Sequence, residues 1–203
     1  MLVIVRHGNT FAAGEPPRRI GARTDLPLTG EGARQATALG QHFAGRGWTF
    51  AKALVAPLQR TRETARLLLM QQAEPPQIEK CDWLREIDHG PDEDRAEGTV
   101  LARIGQEALA AWDERAEPPP GWIVDAEPRL SGWRSLLHGE HQQSAPTLVV
   151  TSNGAARFVL LADAALTAAM PGLPSLKLPT GGYGVIRRGL LGTLEVTEWG
   201  TRP

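Results

Sequence analysis

Hydrophobic and polar positions change period several times along the chain. Residues 2–5 (LVIV) form a continuous apolar run rich in β-branched side chains, the pattern of a strand buried on both faces. After a loop of Gly, Pro and Arg over 12–27, Thr29 is placed to cap a helix. The segment EGARQATALGQHFAG then puts Ala33, Ala36, Gly40, Phe43 and Ala44 on one helical stripe of mostly small residues. Gly45 and Gly47 end it. Residues 52–55 predict a short strand, and Pro57 stands where a second helix begins, with Leu58, Thr61, Ala65 and Leu68 or Leu69 facing inward. Residues 71–99 read as loop, interrupted by Pro75, Pro76, Gly90 and Pro91.

A helical period returns over 100–116, with Ile104, Ala108, Ala111 and Trp112 spaced for burial, and the stiff connector Pro118-Pro119-Pro120-Gly121 follows. A strand is predicted at 147–151, a helix at 155–165, and a terminal hairpin from 183–187 and 194–198. Strands alternating with helices imply an α/β layered domain with no internal repeat. Residues 91–140 carry more prolines, tryptophans and charges than their surroundings. They predict an insertion that caps a site within one domain spanning 1–203, not a second domain.

Composition narrows the function classes. With 22 basic and 23 acidic residues among 203, the chain has no excess charge to suggest a nucleic-acid surface, so anion binding must be local. Cys81 is the single cysteine, which excludes an intramolecular disulfide and a thiolate metal cluster. Arg6 and His7 end the first apolar run too early for a signal peptide, and no stretch has the length of a membrane span. A cytoplasmic protein without membrane or nucleic-acid partners is expected; oligomeric state is left open.

In open α/β sheets ligands sit beyond the carboxyl ends of the strands. Three such ends carry polar groups: Arg6-His7-Gly8, Arg60, and Ser152-Asn153-Gly154. Arg60 falls in the first turn of its helix, where a cation opposes the helix dipole, a placement made intelligible by a shared anion. Two arginines beside a histidine and free helix-start N–H groups suit a compact anion such as phosphate. Singly, each of these residues reads as a turn residue or a surface ion pair.

Four segments together resemble the histidine phosphatase superfamily, which includes the cofactor-dependent phosphoglycerate mutases. VRHGNT resembles its Arg-His-Gly-x-Thr signature, and TDLPLTGEGARQA its Asp-x-Pro-Leu-Thr-x-x-Gly-x-x-Gln-Ala segment. APLQRTRETA is similar to a Ser-Pro-Leu-x-Arg-x-x-x-Thr-Ala segment with Ala56 in place of serine, and LREIDHG to the stretch that carries the family's acid. The resemblance covers most of 1–90 and again about 147–160. It implies a three-layer α/β/α fold with a mostly parallel sheet and an inserted cap.

The resemblance also implies a two-step phosphoryl transfer. His7 is the nucleophile, Arg6 and Arg60 clamp the phosphoryl oxygens, and Glu86 is the acid and base. Asn9, Thr10, Asn153 and Gly154 join the arginines as phosphate-binding positions. No metal or other cofactor is called for, because the arginines supply the charge that magnesium provides elsewhere. The implied partner is a small phosphorylated metabolite, and the implied reaction is hydrolysis. Mutase-type phosphotransfer is the nearest alternative, and a phosphate-ligand binding or regulatory protein is the alternative of another class.

Two positions depart from the family pattern. Asn153 stands where the family has its second active-site histidine, so it keeps a donor N–H but not an imidazolium. A hydrogen bond to a charged group contributes about 1.5–3 kcal/mol, and losing its ionic character slows transfer by roughly ten- to a hundredfold. Ala13 stands near the place of a phosphate-contacting asparagine. His89 is a candidate to replace the missing charge, though a solvated loop position is an equal reading. His138 and His141 have a helix-compatible metal spacing, but with Gly139 between them a surface loop is favoured. Trp83, Trp112, Trp122 and Trp133 suit core packing over a lid, and Arg18, Arg19 and Arg23 suit a solvated basic loop over a second anion site.

Overall fold

The computed structural model describes residues 1–139 and 145–203. Its elements are β1 (Leu2–Arg6), α1 (Gly30–Gly45), β2 (Lys52–Val55), α2 (Gln59–Leu69), β3 (Ile78–Lys80), α3 (Glu97–Arg115), α4 (Ala126–His138), β4 (Thr147–Thr151), α5 (Asn153–Ala156), α6 (Phe158–Leu161), α7 (Ala164–Ala169), β5 (Tyr183–Arg188) and β6 (Leu194–Thr201). The sheet order is β3-β2-β4-β1-β5-β6. The first four are mutually parallel, while β5 runs antiparallel to β1 and β6 to β5. The sheet is thus mostly parallel, with the predicted hairpin as its antiparallel edge.

Alternation along each buried strand sets the layers. Val3, Val5, Ala53, Val55, Leu148 and Val150 face a core shared with Leu39 and Phe43 of α1 and Leu68 of α2. Ile4, Leu54 and Val149 face the opposite core, with Trp112, Trp133, Phe158 and Leu160. Helices therefore cover both faces of the sheet. Thr29 caps α1 as expected, its Oγ1 accepting from Gly32 N at 3.1 Å. The small stripe brings α1 against α2 so closely that a Cβ on Gly40 would lie 2.3 Å from Leu68 O.

Several elements differ from the pattern reading. Ala44 is exposed, and Leu39 is buried in its stead, because the buried face of α1 is centred one position earlier. Residues 78–80 form an edge strand that three residues of Ile-Glu-Lys could not announce. α4 lies inside the Trp- and Pro-rich region, anchored by the buried Trp133 and Leu137. α3 begins three residues earlier than predicted and is interrupted at Gly105, whose φ is +81°. The helix predicted at 155–165 is instead a succession of short pieces, and Asp163 starts the last of them by accepting from Ala165 N at 2.9 Å. Among the described residues no single helix is long and apolar enough to cross a membrane.

Candidate active site

Parallel pairing of β1 with β4 sets Arg6 opposite Thr151, so His7 and Asn153 leave the sheet at the same edge. The bond from His7 N to Thr151 O (3.1 Å) fixes that register at the site itself. A cavity of about 400 Å³ opens there, and Arg6, His7, Asn9, Thr10, Glu86, His89, Asn153 and Gly154 line part of it. A larger hollow of about 810 Å³ lies beside Met1, Trp48 and Arg187, where β1 and β4 begin. It carries none of these groups.

His7 is 4% exposed. Its Nδ1 lies 2.8 Å from Gly8 O, and because a carbonyl only accepts, Nδ1 carries the proton. In the neutral ring the lone pair then belongs to Nε2. Arg60 Nε, which can only donate, stands 3.2 Å from that nitrogen and agrees with this assignment. Burial first, then the positive charges of Arg60 and Arg6, hold the His7 pKa well below its usual 6.5, against a smaller opposing effect of the Gly8 carbonyl. The ring is therefore neutral at pH 7, with a nucleophilic lone pair.

Arg60 is fully buried, and its guanidinium is spanned by protein acceptors. Besides His7, Nη1 donates to Thr24 O at 2.7 Å and Nη2 to Gly21 O at 3.1 Å. Arg60 is not among the residues that line the cavity and reaches the site through its Nε, which meets His7 Nε2. Arg6 does line the cavity; Nη1 donates to Leu178 O at 2.8 Å while its buried Nε has no partner. Burial lowers the Arg6 pKa to about 10, with Glu86 opposing that shift and Arg60 adding to it. Arg6 remains a cation at neutral pH.

Glu86 is 5% exposed and gathers backbone donors. Oε1 accepts from Ile87 N (2.9 Å) and Ala155 N (3.0 Å), and Oε2 from Gly154 N (3.0 Å). Gly154, expected among the phosphate-binding positions, instead gives its N–H to Glu86. A Cβ at this position would lie 2.4 Å from Glu86 Oε1, so glycine is what allows the carboxylate this close to α5. Asn153 accepts from Leu178 N through Oδ1 at 3.0 Å, which leaves its Nδ2 as the donor at the cavity. Asn9 closes its own loop, with Nδ2 donating to Phe11 O at 2.7 Å, and Thr10 lines the cavity beside it.

Two buried charges escaped the sequence reading. Glu93 Oε1 accepts from Gly21 N (2.9 Å), Arg23 N (3.1 Å) and Thr24 Oγ1 (2.7 Å), and Oε2 from His89 N (3.1 Å). Burial opposes ionisation, yet His89, Thr24 and the backbone donors hold its pKa at about 2. The loop that Glu93 fastens is the one whose carbonyls hold Arg60. Arg157 is fully buried, lies 4.3 Å over the Trp112 ring and donates to Trp112 O. Its position four residues after Asn153, in an otherwise apolar stretch, was the available signal. Glu93 had none beyond being an acid in a Gly/Pro-rich loop.

The remaining candidates fall into place. His89 is buried at 5% and lines the cavity, its ring edge-on to Trp122 at 4.5 Å. Trp112, Trp122 and Trp133 are core residues, with Trp83 partly buried against them. Arg18 pairs with Asp94, Arg19 with Glu97 and Arg23 with Asp88. Ala13 is exposed in the loop after β1. His138 stands 3.2 Å from Asp163, and His141 lies outside the described residues.

Comparison with known proteins agrees with this geometry. The profile of the Histidine phosphatase superfamily (branch 1) matches residues 2–189. A 2,3-bisphosphoglycerate-dependent phosphoglycerate mutase of Rhizobium etli is 32% identical over 125 residues, 59% of this chain; the match spans 57% of that relative's length. Among solved structures, a mycobacterial glucosyl-3-phosphoglycerate phosphatase superposes with a TM-score of 0.77 at 20% identity, covering 100% of this chain and 99% of that one. The alpha-ribazole phosphatase of Shigella flexneri gives 0.73 at 21% identity, covering 99% and 96%. With the profile spanning nearly the whole chain and the fold shared from end to end, the protein belongs to the histidine phosphatase superfamily.

Proposed function

We propose that this protein is a metal-independent phosphomonoesterase that hydrolyses a small phosphorylated metabolite through a phosphohistidine at His7. The observation that carries the reading is the geometry at His7: Nδ1–H is tied to Gly8 O, and burial first, then the neighbouring arginines, keep the Nε2 lone pair unprotonated. In the first step Nε2 attacks phosphorus and the bond to the ester oxygen breaks. As phosphorus arrives, Arg60 Nε–H passes from Nε2 to a phosphoryl oxygen, so one short shift both frees the nucleophile and stabilises the transition state. Arg6 and the Asn153 amide complete the donors.

A monoanionic substrate brings one proton, and Glu86 relays it to the departing alkoxide. Glu86 then takes a proton from the water that attacks the phosphohistidine. The N–P bond breaks, His7 returns neutral, Glu86 passes its proton to the departing phosphate and is again a carboxylate, and phosphate leaves as the monoanion. Residues 91–140 act as a cap in this reading, with Glu97, Trp112 and Asp113 facing the cavity.

The test is turnover of an aryl phosphate together with acid-quench labelling of the protein. Wild type is expected to accumulate phosphohistidine and release phosphate, and His7→Ala to do neither. Turnover that survives His7→Ala refutes the mechanism. Labelling without release to water, but with transfer to a second alcohol, favours the mutase reading. Phosphate binding with neither labelling nor release favours a binding protein that Asn153 has disarmed.

A further inference from the structure

The outer part of the cavity, beyond the phosphoryl position, has a charge pattern that the reaction does not use. Three cations line it, and each faces a carboxylate. Lys177 Nζ is 2.6 Å from Asp113, Arg19 pairs with Glu97, and Arg18 pairs with Asp94 and, at 3.3 Å, Glu15. Asp113 and Glu97 themselves line the cavity. Arg19 is further engaged by the Trp122 ring, 5.1 Å from its guanidinium carbon. Phe11, Ile20 and Trp112 supply apolar wall between these pairs.

We propose that the site selects phosphomonoesters whose leaving group is uncharged and partly apolar or aromatic, and selects against phospho-carboxylates and bisphosphates. The inference rests on the phosphatase reading of the same cavity. Arg6 and Arg60 are committed to the phosphoryl group. A second anionic group would find every further cation matched by an acid, and would also approach the carboxylates of Asp113 and Glu97. Like charges brought together in a binding site cost several-fold in affinity or more. An uncharged ring meets no such opposition and covers the apolar wall. A volume near 400 Å³ lies in the range for small-molecule sites, roughly 300–1,000 Å³, so phosphate and one ring or sugar fit without a polymer.

The test separates recognition from chemistry by using non-hydrolysable ligands. Calorimetric binding of benzylphosphonate and of 3-phosphonopropionate to the wild-type protein is compared, alongside kcat/KM for phenyl phosphate and 3-phosphoglycerate. Benzylphosphonate is expected to bind at least about tenfold tighter, with the same order in kcat/KM. Asp113→Asn and Glu97→Gln, which unpair Lys177 and Arg19, are expected to narrow the ratio several-fold by strengthening the carboxylated ligand. Equal or tighter binding of 3-phosphonopropionate by wild type overturns the proposal, as does a ratio that neither variant moves. Binding in the expected order without turnover of either ester supports the selectivity and refutes the phosphatase reading instead.

Discussion

Replacing Glu93 by glutamine is expected to weaken the fold and the reaction together, because one carboxylate fastens the loop that holds Arg60. Its four acceptor contacts, three of them to the loop at 21–24, lie at 2.7–3.1 Å. The pKa drops from 4.5 to about 2 on folding, and the side chain is only 7% exposed, so solvent screening is slight. Two and a half units correspond to about 3 kcal/mol of stability tied to the charge. The folded pKa is depressed, so this stability is complete above pH 4.5 and is lost as pH falls towards 2. Glutamine keeps an acceptor oxygen but no charge, so the variant should be about 2–3 kcal/mol less stable at pH 7.

Urea unfolding followed by tryptophan fluorescence measures the difference. The gap between wild type and Glu93→Gln should be full at pH 7 and shrink to about half at pH 3. Arg60 is anchored by Gly21 O and Thr24 O of the same loop, so kcat/KM should fall at least about tenfold in folded Glu93→Gln, through displaced transition-state donors. Stability within about 0.5 kcal/mol of wild type and unchanged kcat/KM would refute the linkage from Glu93 through the loop to Arg60.

Gly154→Ala places a Cβ 2.4 Å from Glu86 Oε1 and 3.1 Å from the Ile87 side chain, so the acid must move. Phosphohistidine turnover should fall about a hundredfold with about 1–3 kcal/mol of destabilisation, and unchanged turnover would dismiss Glu86 from the chemistry. Asn153→His should either keep the Leu178 N–H as a neutral ring, with kcat within about threefold of wild type, or gain rate as an imidazolium only at a cost of about 1 kcal/mol of stability through the lost acceptor. A gain of about tenfold or more with no loss of stability would show that the imidazolium was the missing element.

The layers of the fold were legible where burial imposes a single period. β1, β4 and β2 are apolar runs, and α1 and α2 carry inward stripes that the cores reproduce with Ala36, Phe43, Ala65 and Leu68. What escaped was decided by partners instead of by pattern. β3 is defined by its pairing with β2, since Ile78 alone of its three side chains faces inward. The pieces after β4 remain apolar throughout, so no period could show where Asp163 would restart the chain as α7. Arg60 was correctly brought to His7, but its anchoring by Thr24 O and Gly21 O uses backbone groups, which residue types do not reveal.

Asn153 shows the same limit from the other side. By the resemblance of residue types alone it reads as a subtraction, an amide where an imidazole is expected. In the structure its Oδ1 accepts from Leu178 N, while Leu178 O accepts from Arg6 Nη1, so one residue of the 173–182 segment joins the two sides of the site. An imidazolium has two donors and no acceptor, so it could not take the Leu178 N–H and remain charged. A neutral imidazole could take it, but would then bring no charge to a phosphoryl oxygen. The amide accepts at Oδ1 and donates at Nδ2 with no titration between them. Asn153 therefore ties Leu178, and through it Arg6, in a fixed orientation, and in the proposed reaction the positive field at the phosphoryl group would rest on Arg6 and Arg60.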